Sequence, residues 1–319
     1  MYIAITFSVM PVIKVTHLCK QFRDVTAVDD VSFTVEETDV YGFLGQNGAG
    51  KSTTIRMLLT LIEPTTGDIE LFGMDLRTHR KQILQQVGAV IERPDLYKYL
   101  SGYENLSIFA KMSGLRLGRK QLMEQLEQVG LSDRAGSKVR TYSQGMKQRL
   151  GIAVALVHNP QLIILDEPTN GLDPQGIADM RNLILHLSRN LKKTVVVSSH
   201  LLSEIEQIAS RMLIIDKGKK IVEGKVETLV DPAKTMVEVK VKNVDAAAGK
   251  IKQSVWGAAI KQINTNGLLL QLHRNEVAQL NKDLVSMDIE VMSLEPRNSL
   301  EAYFLSLTSN NQHVAAFTN

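Results

Sequence analysis

The residues with the clearest chemistry occupy nine consecutive positions: Gly45, Gln46, Asn47, Gly48, Ala49, Gly50, Lys51, Ser52 and Thr53. Glycines at these offsets let the backbone curl so that its N–H groups point at a bound anion. Lys51 can reach the β- and γ-phosphates of a nucleoside triphosphate, and Ser52 can offer a hydroxyl to its Mg²⁺. The alternative is a glycine-rich turn that contains an incidental lysine.

The context of these positions favours phosphate binding over the incidental turn. An apolar, strand-like run at 40–44 precedes them, and a helix-like run at 54–62 follows. A helix that begins at such a loop directs the positive end of its dipole toward the same phosphates. The sequence therefore predicts a triphosphate site between a strand and a helix.

Two adjacent carboxylates form the second group of residues with chemical potential. Asp166 and Glu167 follow four apolar residues at 162–165, and consecutive side chains of a strand point in opposite directions. We expect Asp166 to lie beside Mg²⁺ at the carboxyl edge of a sheet, where α/β proteins bind ligands. Glu167 can then polarise a water and accept its proton as that water attacks the γ-phosphate. The alternative is a strand that ends in a solvated acidic turn.

Length and composition restrict the class of protein. The 319 residues suggest about two domains, and the net charge of +3 with 5% aromatic residues is not typical of a nucleic-acid binder. Cys19 is the single cysteine, which excludes an internal disulfide, favours a reducing compartment and is expected to pack as a small apolar residue. No apolar run reaches the roughly 18 residues of a membrane span, so we expect a soluble protein. Residues 1–11 are interpreted as an N-terminal extension without a signal peptide.

The apolar pattern predicts an α/β protein with a largely parallel sheet. Strand-like segments alternate with helix-like ones, at 12–16, 40–44, 162–165, 194–198 and 212–215. The long stretch at about 84–158 has helical patterning and is interpreted as an inserted helical subdomain. Residues 216–219 are expected to form a hairpin turn. Strand candidates at 237–241 and 268–272 place a small second α+β domain at 233–319.

Over residues 12–230 the chain resembles the ATP-binding subunit of an ABC transporter. Residues 142–149 resemble the LSGGQ signature of this family, with Ser143 and Gly145 kept but Gln144 and Met146 departing from it. The segment 170–173, which ends in Asp173, resembles the D-loop, and His200 matches the switch histidine. The resemblance implies a P-loop NTPase core of the ABC ATPase type at 12–232.

The resemblance also implies roles for individual residues. Phe22 would stack on adenine, although core packing is an alternative for this aromatic ring. In this family two chains sandwich two ATP molecules head to tail, so Ser143 and Gly145 would contact the γ-phosphate bound by the opposite chain. Asp173 is assigned to the nucleotide site and His200 to catalysis, and the expected cofactors are ATP and Mg²⁺.

The position that usually carries the Q-loop glutamine is occupied by Glu92. A carboxylate can also bind Mg²⁺, so Glu92 is a third candidate metal ligand beside Ser52 and Asp166. Its negative charge near a triphosphate is unfavourable unless the metal or Arg93 offsets it. A neutral variant in a mobile loop is the alternative.

Glu92, the signature variant and the segment 293–304 together resemble the lantibiotic-immunity and bacitracin exporters of the family. Within the tail, apolar residues at helical spacing predict an amphipathic helix that packs on its own domain rather than on a partner: Leu300, Tyr303, Phe304 and Leu307.

We therefore expect an ATP-hydrolysing motor subunit of an export system, bound peripherally to the cytoplasmic face of the cell membrane. It would power a separately encoded permease for an antibiotic, peptide or lipid-like compound and bind no nucleic acid. Two alternatives stay open. One is a non-transport ABC ATPase that acts as a conformational switch on a ribosome or a DNA-repair complex. The other is a nucleotide-binding scaffold without turnover, in which Glu167 does not catalyse hydrolysis.

Overall fold

The computed structural model describes residues 11–229 and 235–297, and the chain divides into two compact units between Lys225 and Val226. The predicted domain boundary at 232/233, most of the N-terminal extension and the predicted helix with Leu300, Tyr303, Phe304 and Leu307 lie outside the described residues. Within the described ranges, no helix is both long and apolar enough to cross a membrane.

The strands of the first unit are, in chain order, β1 (Ile13–Phe22), β2 (Val25–Val35), β3 (Val40–Leu44), β4 (Thr66–Leu71), β5 (Met74–Asp75), β6 (Val87–Val90), β7 (Leu162–Asp166), β8 (Thr194–Ser199), β9 (Arg211–Asp216) and β10 (Lys219–Lys225). Its helices are α1 (Lys51–Leu58), α2 (Arg80–Leu84), α3 (Gly102–Met112), α4 (Arg119–Gln128), α5 (Gln144–Leu156), α6 (Pro174–Arg189) and α7 (Leu202–Ile208).

The larger sheet has the strand order β10-β9-β3-β8-β7-β6 and is parallel from β9 to β6. Every residue of β3, β7 and β8 is buried, as expected for central parallel strands covered on both faces. The carboxyl ends of β3, β7 and β8 therefore lie side by side at one edge. The predicted α/β fold class is confirmed.

Two segments differ from the sequence-based prediction. The predicted strand at 12–16 belongs to β1, which lies in a separate antiparallel sheet of order β2-β1-β4-β5. The stretch at 84–158 begins with β6, which pairs with β7 in the parallel sheet, so its helical part starts only at α3. A four-residue apolar run has too little periodicity to distinguish a buried strand from a helix.

The predicted hairpin at 216–219 joins β9 to β10. Its two central residues, Lys217 and Gly218, have φ of 47° and 80°. Two consecutive positive φ values match the twist of paired strands, which explains the tight turn.

The second unit is a small α+β fold. It contains β11 (Thr235–Val241), β12 (Ile260–Asn264), β13 (Gly267–Leu272) and β14 (Val291–Arg297), with α8 (Val226–Leu229), α9 (Val244–Lys252) and α10 (Val277–Ser286). The sheet order is β12-β13-β11-β14, and all its pairings are antiparallel. The second unit has its own hydrophobic core, in which alternate residues of β11 pack with residues of α9 and α10. The predicted α+β class of this unit is confirmed.

Candidate active site

The phosphate loop connects the end of β3 to the start of α1. Gly50 has a φ of 107°, and a Cβ atom on it would lie 2.5 Å from the carbonyl oxygen of Ala27. Only glycine fits both the left-handed backbone and the space at this position. The strand before the loop and the helix after it are both present, and the helix begins at Lys51 rather than at residue 54.

Lys51 is fixed at the centre of this loop. Its ammonium donates to the carbonyl oxygens of Gly45 (2.7 Å) and Gln46 (3.2 Å), and only 4% of the residue is exposed. The same Nζ lies 3.1 Å from Oε1 of Glu167. A buried ammonium held by three oxygens offers a positive charge in a defined position for a phosphate.

Asp166 and Glu167 lie at the carboxyl end of β7 and point to different surroundings, as predicted. Asp166 is 1% exposed, and its Oδ1 accepts a hydrogen bond of 2.5 Å from the hydroxyl of Ser198. Glu167 has a φ of 50°, and its N–H donates to the same hydroxyl at 2.8 Å. A left-handed residue that is not glycine is uncommon, and such strain is concentrated at functional sites.

The second carboxylate oxygen of Glu167 binds His200. Nδ1 of His200 lies 2.7 Å from Oε2 of Glu167, and the histidine follows directly after β8. Lys51 and His200 thus fix the two oxygens of one carboxylate. The structure brings together the two predicted catalytic residues and the predicted phosphate-binding lysine.

The fit of a magnesium ion depends on the other oxygen of Asp166. Oδ2 of Asp166 is buried, and within the described part of the chain it has no hydrogen-bond partner. A buried carboxylate oxygen without a donor is unfavourable unless something else satisfies it. Ser52, at the second position of α1, offers a hydroxyl. Carboxylate and hydroxyl oxygens suit Mg²⁺, so the residues fit the group.

Glu92, the third predicted metal ligand, contacts an arginine of α1. Its Oε1 is 2.5 Å from Nη2 of Arg56, and 65% of its side chain is exposed. The counter-charge for Glu92 in the structure is therefore Arg56 of α1 and not Arg93. Assignment of Glu92 to the metal stays a prediction.

The signature and D-loop residues each begin a helix. The hydroxyl of Ser143 accepts from the N–H of Met146 (3.2 Å) and caps α5, while Oδ1 of Asp173 accepts from the N–H of Gly176 (3.1 Å) and caps α6. Ser143 and Asp173 are exposed and Gly145 is half-buried, where a Cβ would lie 3.8 Å from Leu172, at ordinary van der Waals distance. These positions are accessible to a second molecule.

Phe22 lies at the end of β1 with 46% of the residue exposed, and Nζ of Lys20 lies 4.8 Å from the ring centroid. The ring is therefore not part of the buried core, which was the alternative to adenine stacking. An exposed ring with a neighbouring cation can still stack on a base.

Comparison with known proteins identifies the family. Residues 28–170 match the family model described as ABC transporter. The chain is 41% identical over 298 residues to the "Bacitracin transport ATP-binding protein BcrA" of Bacillus licheniformis, covering 93% of this chain and 97% of that protein. It is 39% identical over 211 residues to the "Lantibiotic transport ATP-binding protein SrtF" of Streptococcus pyogenes, covering 66% of this chain and 90% of SrtF.

The chain belongs to the ABC transporter ATP-binding proteins. Solved structures agree on the fold. The structure of cbiO1 from Clostridium perfringens, described as part of the ABC transporter complex cbiONQ, has a TM-score of 0.62 at 24% identity and covers 68% of this chain and 90% of cbiO1. The ATP-binding cassette MJ0796, solved as a dimer with ADP and Pi, has a TM-score of 0.60 at 25% identity over 67% of this chain and 98% of that one.

These findings confirm the predicted ABC ATPase fold and the ATP-hydrolysing class of enzyme. They also confirm ATP as the nucleotide of the family. In this ABC ATPase, Lys51 of the phosphate loop and His200 both contact Glu167, which follows Asp166 at the carboxyl edge of the parallel sheet.

Sequence reasoning missed three residues that support this site. Ser198 bonds both acidic residues, Arg56 pairs with Glu92, and Glu204 accepts hydrogen bonds from Thr169 and Ser199. The signal available for Ser198 was a polar residue at the end of a buried strand, next to His200. The role of Ser198 can be recognised only when β8 is known to pair with β7, because this pairing places Ser198 opposite Asp166.

Proposed function

We propose that this chain is the motor subunit of an ABC export system and hydrolyses ATP to drive a separately encoded membrane permease. The observation that carries the proposal is the arrangement of Lys51, Glu167 and His200 at the phosphate loop. Similarity to a bacitracin transport protein over 93% of the chain, including most of the second unit, supports the cargo class.

The chemistry follows from the positions of these groups. Glu167 polarises a water molecule, whose oxygen attacks the γ-phosphorus while the carboxylate accepts its proton. The bond from the γ-phosphorus to the bridging oxygen breaks, and ADP and phosphate leave. Lys51 compensates the negative charge of the phosphates, and His200 keeps the carboxylate in place through Nδ1.

Magnesium would be held by Ser52 and Asp166, with Glu92 as the additional predicted ligand. When bound, Mg²⁺ neutralises phosphate charge and orients the phosphate oxygens. The orphan Oδ2 of Asp166 supports this assignment.

We further propose that two nucleotide-binding subunits bind ATP between them. Ser143, the exposed N-cap of α5, and Gly145 in its first turn would meet the γ-phosphate held by the phosphate loop of the opposite subunit, and Asp173 would lie in the same interface. A γ-phosphate that contacts both chains favours the closed pair, and its loss shifts the population to the open pair. Phe22 would stack on the adenine.

The nucleotide-binding domain is proposed to span residues 12–232 and the accessory domain 233–319. The protein would bind peripherally to the inner face of the cell membrane through its permease. The cargo is proposed to be an antibiotic, a peptide or a lipid-like compound.

Three measurements test this function. Phosphate release by the purified chain should exceed that of Lys51→Ala, and cells that express the wild-type chain with its permease should tolerate more bacitracin than cells with Glu167→Gln. Affinity capture from detergent-solubilised native membranes should recover the chain together with one integral membrane protein. Recovery with ribosomal subunits and unchanged bacitracin tolerance would favour the conformational-switch alternative.

A further inference from the structure

Glu204 connects two loops of the active site through one carboxylate oxygen. Oε2 of Glu204 accepts a hydrogen bond from the hydroxyl of Thr169 at 2.7 Å and another from the hydroxyl of Ser199 at 2.8 Å. Thr169 follows β7, and Ser199 is the last residue of β8. Hydrogen bonds to a charged acceptor are about twice as strong as those between neutral groups.

Both donors lie next to residues that perform the proposed chemistry. Thr169 is two positions after Glu167 and lies in the turn that leads to Asp173, where its carbonyl accepts from the N–H of Leu172 at 3.1 Å. Ser199 directly precedes His200, and its hydroxyl accepts from the N–H of Leu201 at 3.0 Å. Glu204 therefore bridges the loop of Glu167 and the loop of His200.

The helix that carries Glu204 is packed against the sheet. Glu204 lies on α7, which packs on β3 and β8 through the buried side chains of Leu202, Ile205 and Ile208. Ser199 is 2% exposed and Glu204 is half-buried, so water competes only partly for these hydrogen bonds. Because α7 is packed on the sheet, Glu204 can hold both loops in a fixed position relative to the sheet.

We propose that Glu204 is a positioning residue that maintains the contact between His200 and Glu167 by holding the loops that carry both residues. This inference rests on the proposed ATP hydrolysis. Because Glu204 acts through His200, its removal displaces the imidazole from the Glu167 carboxylate rather than removing a group that contacts ATP. Small displacements of a catalytic group lower turnover strongly while substrate binding is retained.

The first test measures backbone exchange in the two loops and does not depend on ATPase activity. Backbone hydrogen–deuterium exchange is followed in Glu204→Ala, Glu204→Gln and the wild-type chain, with Ser203→Ala as the control on the same helix. Loss of two charge-assisted hydrogen bonds should accelerate exchange about tenfold or more in both 167–172 and 199–201. Ser203→Ala should match the wild type, because the Ser203 side chain is exposed.

The second test separates action through His200 from a general loss of structure. In Glu204→Ala, kcat should fall about tenfold with little change in KM for ATP, and in a His200→Ala background the same substitution should cost less than about twofold. Glu204→Gln should recover much of the activity, because its amide oxygen can still accept from both hydroxyls.

The inference fails if exchange increases in one loop or in neither. It also fails if Glu204→Ala costs as much in the His200→Ala background as in the wild type. The proposed function is judged separately, because its failure would appear as wild-type phosphate release no higher than that of Lys51→Ala, while the exchange measurement still reports on the bridge.

Discussion

The ammonium of Lys51 lies 3.1 Å from Oε1 of Glu167 and joins the phosphate loop to the acidic end of β7. The other oxygen of the same carboxylate is bonded to His200 after β8. One side chain thus connects the ends of three neighbouring parallel strands, β3, β7 and β8. The catalytic groups can respond together to a phosphate that binds at Lys51.

Replacement of Glu167 with Gln should slow ATP hydrolysis by about 10²- to 10⁴-fold, because the amide cannot accept the proton of the attacking water. ATP binding should persist, since Lys51 and the loop backbone are unchanged. Size-exclusion chromatography with ATP should then show a dimer, whereas Lys51→Ala should give a monomer. A Glu167→Gln chain that stays monomeric at saturating ATP would contradict the sandwich.

Ser143→Arg should abolish turnover while the isolated chain keeps its ATP affinity, because the residue is proposed to act on the opposite subunit. Ser143→Thr is the matched control, since it preserves the hydroxyl that caps α5. Mixing Ser143→Arg with Lys51→Ala should restore part of the activity, because one of the two shared sites then has an intact phosphate loop and an intact signature. Reduced ATP affinity of the isolated Ser143→Arg chain would instead place Ser143 in the nucleotide site of the same chain.

Arg56 should determine whether a carboxylate is tolerated at position 92. Arg56 is one helical turn after Ser52 on α1, and it holds Oε1 of Glu92 at 2.5 Å. In Arg56→Gln the charge of Glu92 loses this partner, and if Glu92 faces the nucleotide as predicted, KM for ATP should rise roughly threefold or more at low salt.

The added substitution Glu92→Gln should reverse this effect, and the double variant should approach the wild-type KM. Thermal stability should change little in any of these variants, because exposed ion pairs contribute about 0–1 kcal/mol. Equal KM values in the wild type, Arg56→Gln and the double variant would show that the pair has no role in nucleotide binding.

Ser198→Ala should lower both stability and turnover. The hydroxyl is fully buried and serves Asp166 and the N–H of Glu167, so its loss leaves a buried carboxylate oxygen without its donor. We expect a loss of about 1–3 kcal/mol in the free energy of unfolding, measured by urea denaturation. Ser198→Thr keeps the hydroxyl and should retain most of the stability and the ATPase activity. Wild-type stability in Ser198→Ala would show that the bond to Asp166 contributes nothing.

Local sequence motifs predicted the fold class and the kind of chemistry. The phosphate loop, the acidic end of a buried strand and the terminal histidine are short motifs whose physical requirements are local: glycines for a curled backbone and apolar runs for buried strands. Their order and spacing predicted a parallel α/β core and a triphosphate site with a carboxylate for hydrolysis, and the resemblance to the ABC transporter family implied ATP.

The distant residues that support those motifs could be identified only from the folded arrangement of the strands. Ser198 meets Asp166 across 32 positions, and Arg56 meets Glu92 across 36. Such contacts depend on the order of strands in the sheet and on left-handed residues such as Glu92, which has a φ of 57°. Hydrophobic periodicity encodes which face of an element is buried, but it does not encode which element lies beside it.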